Sequence, residues 1–151
     1  MRTVKDIINS KAKPLNFIPP DALVIDALKL LNSVDLSYLV VMEGEELKGI
    51  FCERDYCRNV VLKDRSSKTS TVAEVMTTDL PKVQTFDTAE HCMDTMNGYK
   101  TRYLLAFDNG SFAGVITIHD LLRQVLSNRE YVFDHSAAER LIEQEEGDKI
   151  F

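Results

Sequence analysis

Two stretches of the chain repeat one pattern of chemically capable residues: Gly49-Ile50-Phe51-Cys52-Glu53-Arg54-Asp55 and Gly114-Val115-Ile116-Thr117-Ile118-His119-Asp120. Each ends in a carboxylate, and an arginine follows three residues later, at Arg58 and Arg123. A carboxylate so placed either accepts hydrogen bonds from a ligand or caps the helix that follows, because Asp is favoured at helix starts whether or not anything binds. The local basic residues would suit a small phosphorylated ligand. Arg58 and Arg123 are equally readable as surface residues or intramolecular ion-pair partners, the reading favoured for Arg123. Catalytic signals are missing: there is no dinucleotide fingerprint, P-loop or nucleophile elbow. His91 and Cys92 are neighbours, which on a helix point about 100° apart, and no second pair stands at ligand spacing, so no metal is expected. Cys52 has only Arg54 nearby to lower its pKa, and a quiet thiol is expected.

The elements that must carry these residues also occur twice. Shifted by 65, residues 26–61 align with 91–126 without a gap, and seven positions are identical, Tyr38/Tyr103, Gly49/Gly114, Asp55/Asp120 and Arg58/Arg123 among them. Upstream the shift becomes 68, where TVKDII at residue 3 faces TVAEVM at residue 71. In each copy a helix comes first. Asp21 is the expected cap for Val24, Ala27, Leu28 and Leu31; Asp87 or Thr88 is the expected cap ahead of Cys92, Met93 and Met96. Two short apolar runs follow, YLVVM with LKGIF and YLLAF with FAGVI. Asn109-Gly110 between the second pair is a strong hairpin signal, since a type I′ turn needs positive φ at both central residues. RDYCRNVVL and HDLLRQVL then read as helices, and short strands are expected near residues 16–18 and 82–85. Tyr38 and Tyr103 read as packed side chains. LKDRSSKTST, residues 62–71, reads as a polar loop, and Ser136 as the cap of an acidic C-terminal helix with Ala137, Leu141 and Ile142 on one face.

The fold class is therefore α/β, or α+β: two pseudo-symmetric β-α-β-β-α repeats, with repeat one at 1–65, repeat two at 66–130 and a helical tail at 131–151. One such unit of about 60 residues is marginal alone, and two packed copies make a sufficient core. At 151 residues, 44% hydrophobic and 28% charged, the composition is that of a globular protein. The net charge of −6 argues against general nucleic-acid binding. No apolar run is long enough to cross a membrane, and MRTVKDIINSKAK is too interrupted by charge for a signal peptide. Three cysteines without a CxxC pair fit a reducing compartment, so a cytoplasmic location is expected.

The tandem layout, the segments GIFCERD and GVITIHD, and the preceding VAEVMTTDLPKV resemble a cystathionine β-synthase (CBS) domain pair, or Bateman module, over residues 1 to about 128. FCERDYCRNVVLKDRSSKTSTVAEVM is particularly similar to small stand-alone bacterial CBS-pair proteins. The resemblance implies two CBS repeats packed through their sheets and a regulatory module that binds AMP, ADP, ATP, S-adenosylmethionine or an adenine dinucleotide such as NAD in a cleft between the repeats. It also implies a homodimer and, since no enzyme, channel or transporter domain is present, a protein partner regulated in trans. The family's ligand signature is a glycine, a hydroxyl residue three positions on, and an aspartate three beyond that. Copy two matches it in full, with Thr117 and Asp120, beside His119; copy one keeps Gly49 and Asp55 but has Cys52 for the hydroxyl, a weaker partner. By this resemblance Asp55 and Asp120 accept ribose hydroxyls, Arg102, Arg54 and Arg58 meet phosphates, Val75, Met76 and Leu80–Val83 line the adenine, and Tyr38 and Tyr103 shape the strand edge beside it. The proline common after that edge is absent in both copies. A non-catalytic sensor is thus the leading expectation; a nucleotide-processing enzyme using Asp55, Asp120 and His119, and an interaction module with decayed sites, are the alternatives.

Overall fold

The computed structural model describes residues 2–11, 15–127 and 140–141. These fall into two compact units, Pro14–Asp79 and the combination of Met1–Lys13 with Leu80–Phe151.

In the Pro14–Asp79 unit, β1 (Phe17–Ile18) pairs parallel with β2 (Tyr38–Glu43), which pairs antiparallel with β3 (Glu46–Cys52). Helix α2 (Val24–Val34) buries Val24, Ala27 and Leu31, the apolar positions spaced for one helical face, against Leu39, Val41 and Phe51 of the sheet. Tyr38, Leu39, Val40 and Val41 are all buried, so β2 reads as a continuous apolar run rather than an alternating one. Asp21 does not cap α2. Leu23 occupies the cap position without a side-chain bond, and the amides of Val24 and Ile25 are bonded by the carbonyls of Ser70 and Ser67, each at 2.9 Å. Backbone acceptors from the polar loop thus replace the expected carboxylate.

The other unit repeats the plan: β4 (Lys82–Gln84), β5 (Tyr103–Asp108) and β6 (Ser111–Thr117), with α5 (Ala89–Tyr99) packing Cys92, Met93 and Met96 into a core shared with Leu104, Ala106 and Ile116. Thr88 is the α5 cap, accepting the His91 amide at 3.1 Å. Asn109 and Gly110 both have positive φ, 48° and 83°, as the type I′ turn requires. In the first hairpin only Gly44 does. Each hairpin carries one extra residue at the same place, Lys48 in β3 and Ala113 in β6, just before the repeated glycine.

The helices that lead each sequence repeat are exchanged. Helix α1 (Val4–Ser10) packs in the unit of repeat two, and α4 (Val72–Val75) in that of repeat one. The same three backbone bonds seat both. Val4 and Lys5 donate to Asp87 and Thr85, and Ala89 to Arg2; Val72 and Ala73 donate to Ala22 and Pro20, and Val24 to Ser70. Both helices start with a capping box, Thr3 with Asp6 and Thr71 with Glu74. The sequence repeat and the compact unit are therefore different partitions of one chain.

After β6 the chain continues as a regular helix, α6 (Ile118–Ser127). After β3 the expected single helix is interrupted: α3 (Glu53–Asp55) widens to π geometry over Tyr56–Val60 and tightens to a 3-10 turn over Val61–Lys63. Side-chain bonds tie this segment to its surroundings, from the Asn59 amide to the Val75 carbonyl at 2.9 Å and from Arg65 to the carbonyls of Asn59 and Glu74. Of the expected C-terminal helix only Arg140 and Leu141 are among the described residues; both are helical, Leu141 is fully buried in the second core, and Ser136, Ala137 and Ile142 lie outside the description.

Candidate functional site

Each repeated aspartate lies at a strand-to-helix turn, where the first amides of the helix lack partners inside it. Asp120 turns back on that end: its Oδ2 accepts the Thr117 amide at 2.9 Å, while its own amide donates to Thr117 Oγ1 at 3.2 Å. Asp55 accepts the Cys52 amide at 2.9 Å in the same way, and Cys52 Sγ donates to the same oxygen at 3.3 Å. The expected departure of copy one is thus physical: a long thiol contact stands where copy two has a hydroxyl.

The remaining acceptors are filled differently in the two turns. Asp55 Oδ1 takes the Thr77 hydroxyl at 2.6 Å, from the residues that follow α4. Asp120 takes two cations: Lys11 Nζ at 2.9 Å on Oδ2 and Arg123 Nη2 at 2.7 Å on Oδ1. Lys11 follows α1 and also donates to the Val115 carbonyl at 2.8 Å. At the matching place in repeat one, Ile50 exchanges both backbone bonds with Thr77, each at 2.9 Å. The exchanged helices therefore deliver one partner to each aspartate, a neutral hydroxyl to Asp55 and an ammonium to Asp120.

Electrostatics follow the partners. Burial pushes the Asp55 carboxyl above its ordinary range, and the bonds from Thr77 and Cys52 do not reverse this. Burial also pushes Asp120 upward, but the Lys11 charge, with the bonds from Thr117, Lys11 and Arg123, outweighs it and holds the pKa below the ordinary value. Cys52 is pushed up to about 12, first by burial and then by the Asp55 charge, which leaves the thiol protonated.

The other sequence-selected residues distribute around these turns. His119 is exposed; Arg54 is half-buried and Arg58 exposed on the segment after β3. Tyr38 is buried at the start of β2, Tyr103 is half-buried at the start of β5, and Arg102, half-buried, precedes it. Val75 and Val83 are fully buried members of the two separate cores, and Met76 is half-buried against Gly49. Thr117 is buried with Asp120. Lys11 and Thr77 were not selected from the sequence. The signal for them lay in the 68-residue shift, which marks the leading helices as a repeat but does not reveal that they are exchanged. Among the described residues no group of three or more His, Cys, Asp or Glu is arranged for a metal, and no helix is long and apolar enough to cross a membrane.

Comparison with known proteins decides the family: the CBS domain model matches residues 4–62 and 72–127. The chain belongs to the CBS domain family. A protein with CBS domains from Burkholderia ambifaria superposes with a TM-score of 0.79 at 32% identity, covering 88% of this chain and 100% of that one. The mitochondrial CBS domain-containing protein CBSX3 of Arabidopsis thaliana is 29% identical over 133 residues, 82% of this chain; the match spans 65% of the plant protein's length. The crystal structure of CBSX2 in complex with AMP superposes with a TM-score of 0.70 at 25% identity, covering 85% of this chain and 98% of that one. The mixed α/β architecture with two three-stranded sheets is thus that of a CBS pair, a regulatory module.

Proposed function

We propose that the chain is a non-catalytic sensor that binds an adenosine-containing ligand, AMP, ADP, ATP or an adenine dinucleotide, through Asp55 and Asp120. The observation that carries this reading is the paired turn itself. Each CBS repeat presents a buried aspartate folded back on a strand-to-helix turn, where a vicinal diol would find a carboxylate acceptor. The AMP complex of the CBSX2 relative supports the ligand class. In this reading Cys52 flanks the ribose at Asp55, with Arg54 and Arg58 for the phosphates and Met76 beside the base; Thr117 flanks it at Asp120, with Arg102 and His119 for the phosphates and Tyr103 beside the base, while Val75, Val83 and Tyr38 are buried and support these positions from behind rather than touch the ligand. Signalling is in trans, through a homodimer whose conformation a partner protein reads. A ligand shifts that equilibrium only through unequal affinity for the two states. Three free cysteines support a reducing, cytoplasmic setting.

Both carboxylates are also well satisfied by internal donors, which favours the second reading, an interaction module whose aspartates act only as caps. Calorimetric titration with AMP, ADP, ATP, NAD and S-adenosylmethionine separates the two. Binding that is lost in Asp55→Ala or Asp120→Ala supports the sensor; no heat with any of the five, from a folded dimer, supports the interaction module.

A further inference from the structure

The two aspartates differ in what a ribose must displace. At Asp55 the bonds into the carboxylate come from neutral groups, a hydroxyl and a thiol besides the backbone amide, with the Arg54 charge nearby. A ribose hydroxyl that replaces the Thr77 hydroxyl exchanges like for like. At Asp120 the side chain is 2% exposed, and the bonds that hold its carboxylate beyond the turn come from cations. Arg123 is 68% exposed and free to swing into water. Lys11 is only 19% exposed and is fixed at both ends of its contact, by Asp120 and by the Val115 carbonyl. A neutral hydroxyl that displaces it breaks a charge-assisted bond and leaves a poorly solvated ammonium behind.

We propose that Lys11 is an internal competitor for ribose at Asp120, so that the second repeat takes an adenosine ligand only when a phosphate replaces the aspartate as the partner of Lys11. The inference rests on the reading of Asp120 as a ribose acceptor. Adenosine offers the ammonium nothing in return, whereas AMP supplies an anion that keeps it paired as the carboxylate turns to the diol. Repeat one, whose aspartate has Thr77 in place of a lysine, draws no such distinction. The consequence is a division of labour: the second repeat reads phosphorylation of the nucleoside, the first reads the nucleoside.

The test isolates repeat two with Asp55→Ala, which leaves no side-chain acceptor in repeat one, and compares calorimetric affinities for adenosine and AMP. AMP is expected to bind at least about tenfold more tightly. Lys11→Gln, which keeps a neutral donor and models repeat one, should raise adenosine affinity and lower that of AMP, bringing the two within about threefold; Lys11→Arg should preserve the preference. A ratio unmoved by Lys11→Gln overturns the inference, as does an Asp55→Ala protein that binds neither compound while the parent binds AMP. Should Lys11→Gln not fold, the Lys11 Cε proton resonance of the Asp55→Ala protein gives the answer: AMP should move it and adenosine should not, and equal movement by both overturns the proposal. If the parent itself binds neither compound, it is the ligand-binding reading of the chain that fails.

Discussion

Thr77 donates its hydroxyl to Asp55 at 2.6 Å, from just beyond the cap of a helix that leads the other sequence repeat. The donor stands 22 residues along the chain from that carboxylate, and the bond joins the segment after α4 to the turn after β3. Replacing Thr77 by Val keeps the shape and removes the donor. The variant should lose about 1–3 kcal/mol in urea denaturation at pH 7. An unchanged midpoint would show that water or another donor replaces the hydroxyl without cost.

The opposite pKa shifts of the two aspartates predict opposite pH signatures. Asp120 is held below 3.8, so its contribution to stability is complete above that value and is lost as pH falls through its lower folded pKa. Asp55 is held above 3.8, so the folded state binds the extra proton there, and its contribution to stability declines as pH rises from 3.8 through its folded value. Asp120→Asn should therefore cost about 2–3 kcal/mol at pH 7, because two cations lose their partner, and progressively less below pH 3.8. Asp55→Asn should stay within about 1 kcal/mol of the parent at pH 7, because Asn retains an acceptor for the neutral donors. Urea titrations of both variants at pH 7 and at pH near 3.5 check the signs; parallel curves for the two would contradict them.

Gly49 and Gly98 should respond to alanine in opposite directions. A Cβ on Gly49 would meet the Thr77 carbonyl oxygen at 2.6 Å, a backbone atom paired to Ile50, so the sheet and the α4 segment must separate. Gly49→Ala should cost about 1–3 kcal/mol. Gly98 lies in α5 with nothing within 4 Å of its would-be Cβ, and Gly98→Ala should stabilise by about 0.5–1 kcal/mol through helix propensity. Thermal unfolding of the two variants gives both signs in one experiment.

The three thiols should separate cleanly by reactivity. Cys52 and Cys92 are each pushed up to about 12, with burial as the leading cause, while Cys57 is exposed. Iodoacetamide at pH 7.5 should label one thiol promptly, and peptide mapping should place it at Cys57. Rapid labelling of Cys52 would mean that the turn after β3 opens far more readily than its hydrogen bonds indicate.

Much of this arrangement was legible in the sequence, and the failures come from contacts between residues far apart along the chain. The 65-residue repeat located both hairpins, both aspartates and the strand-to-helix turns, because apolar period and Asn-Gly chemistry are local signals. Asp21 failed as a cap because the competing acceptors, the carbonyls of Ser67 and Ser70, lie more than 40 residues away and carry no side-chain signature. The π segment after Asp55 was hidden for a similar reason: Asn59 and Arg65 read as ordinary polar residues until their backbone acceptors on α4 are known. Lys11 was invisible as a site residue because its partner stands 109 positions along the chain, beyond any local pattern.

The exchanged leading helix has a consequence for synthesis. As the chain leaves the ribosome, residues 14–79 hold every segment of their own unit and can close first, since domains assemble as they emerge. Helix α1 cannot. Val4 and Ile7 must wait until the strands and helices beyond Leu80 have been made, and only then does this leading helix find its place.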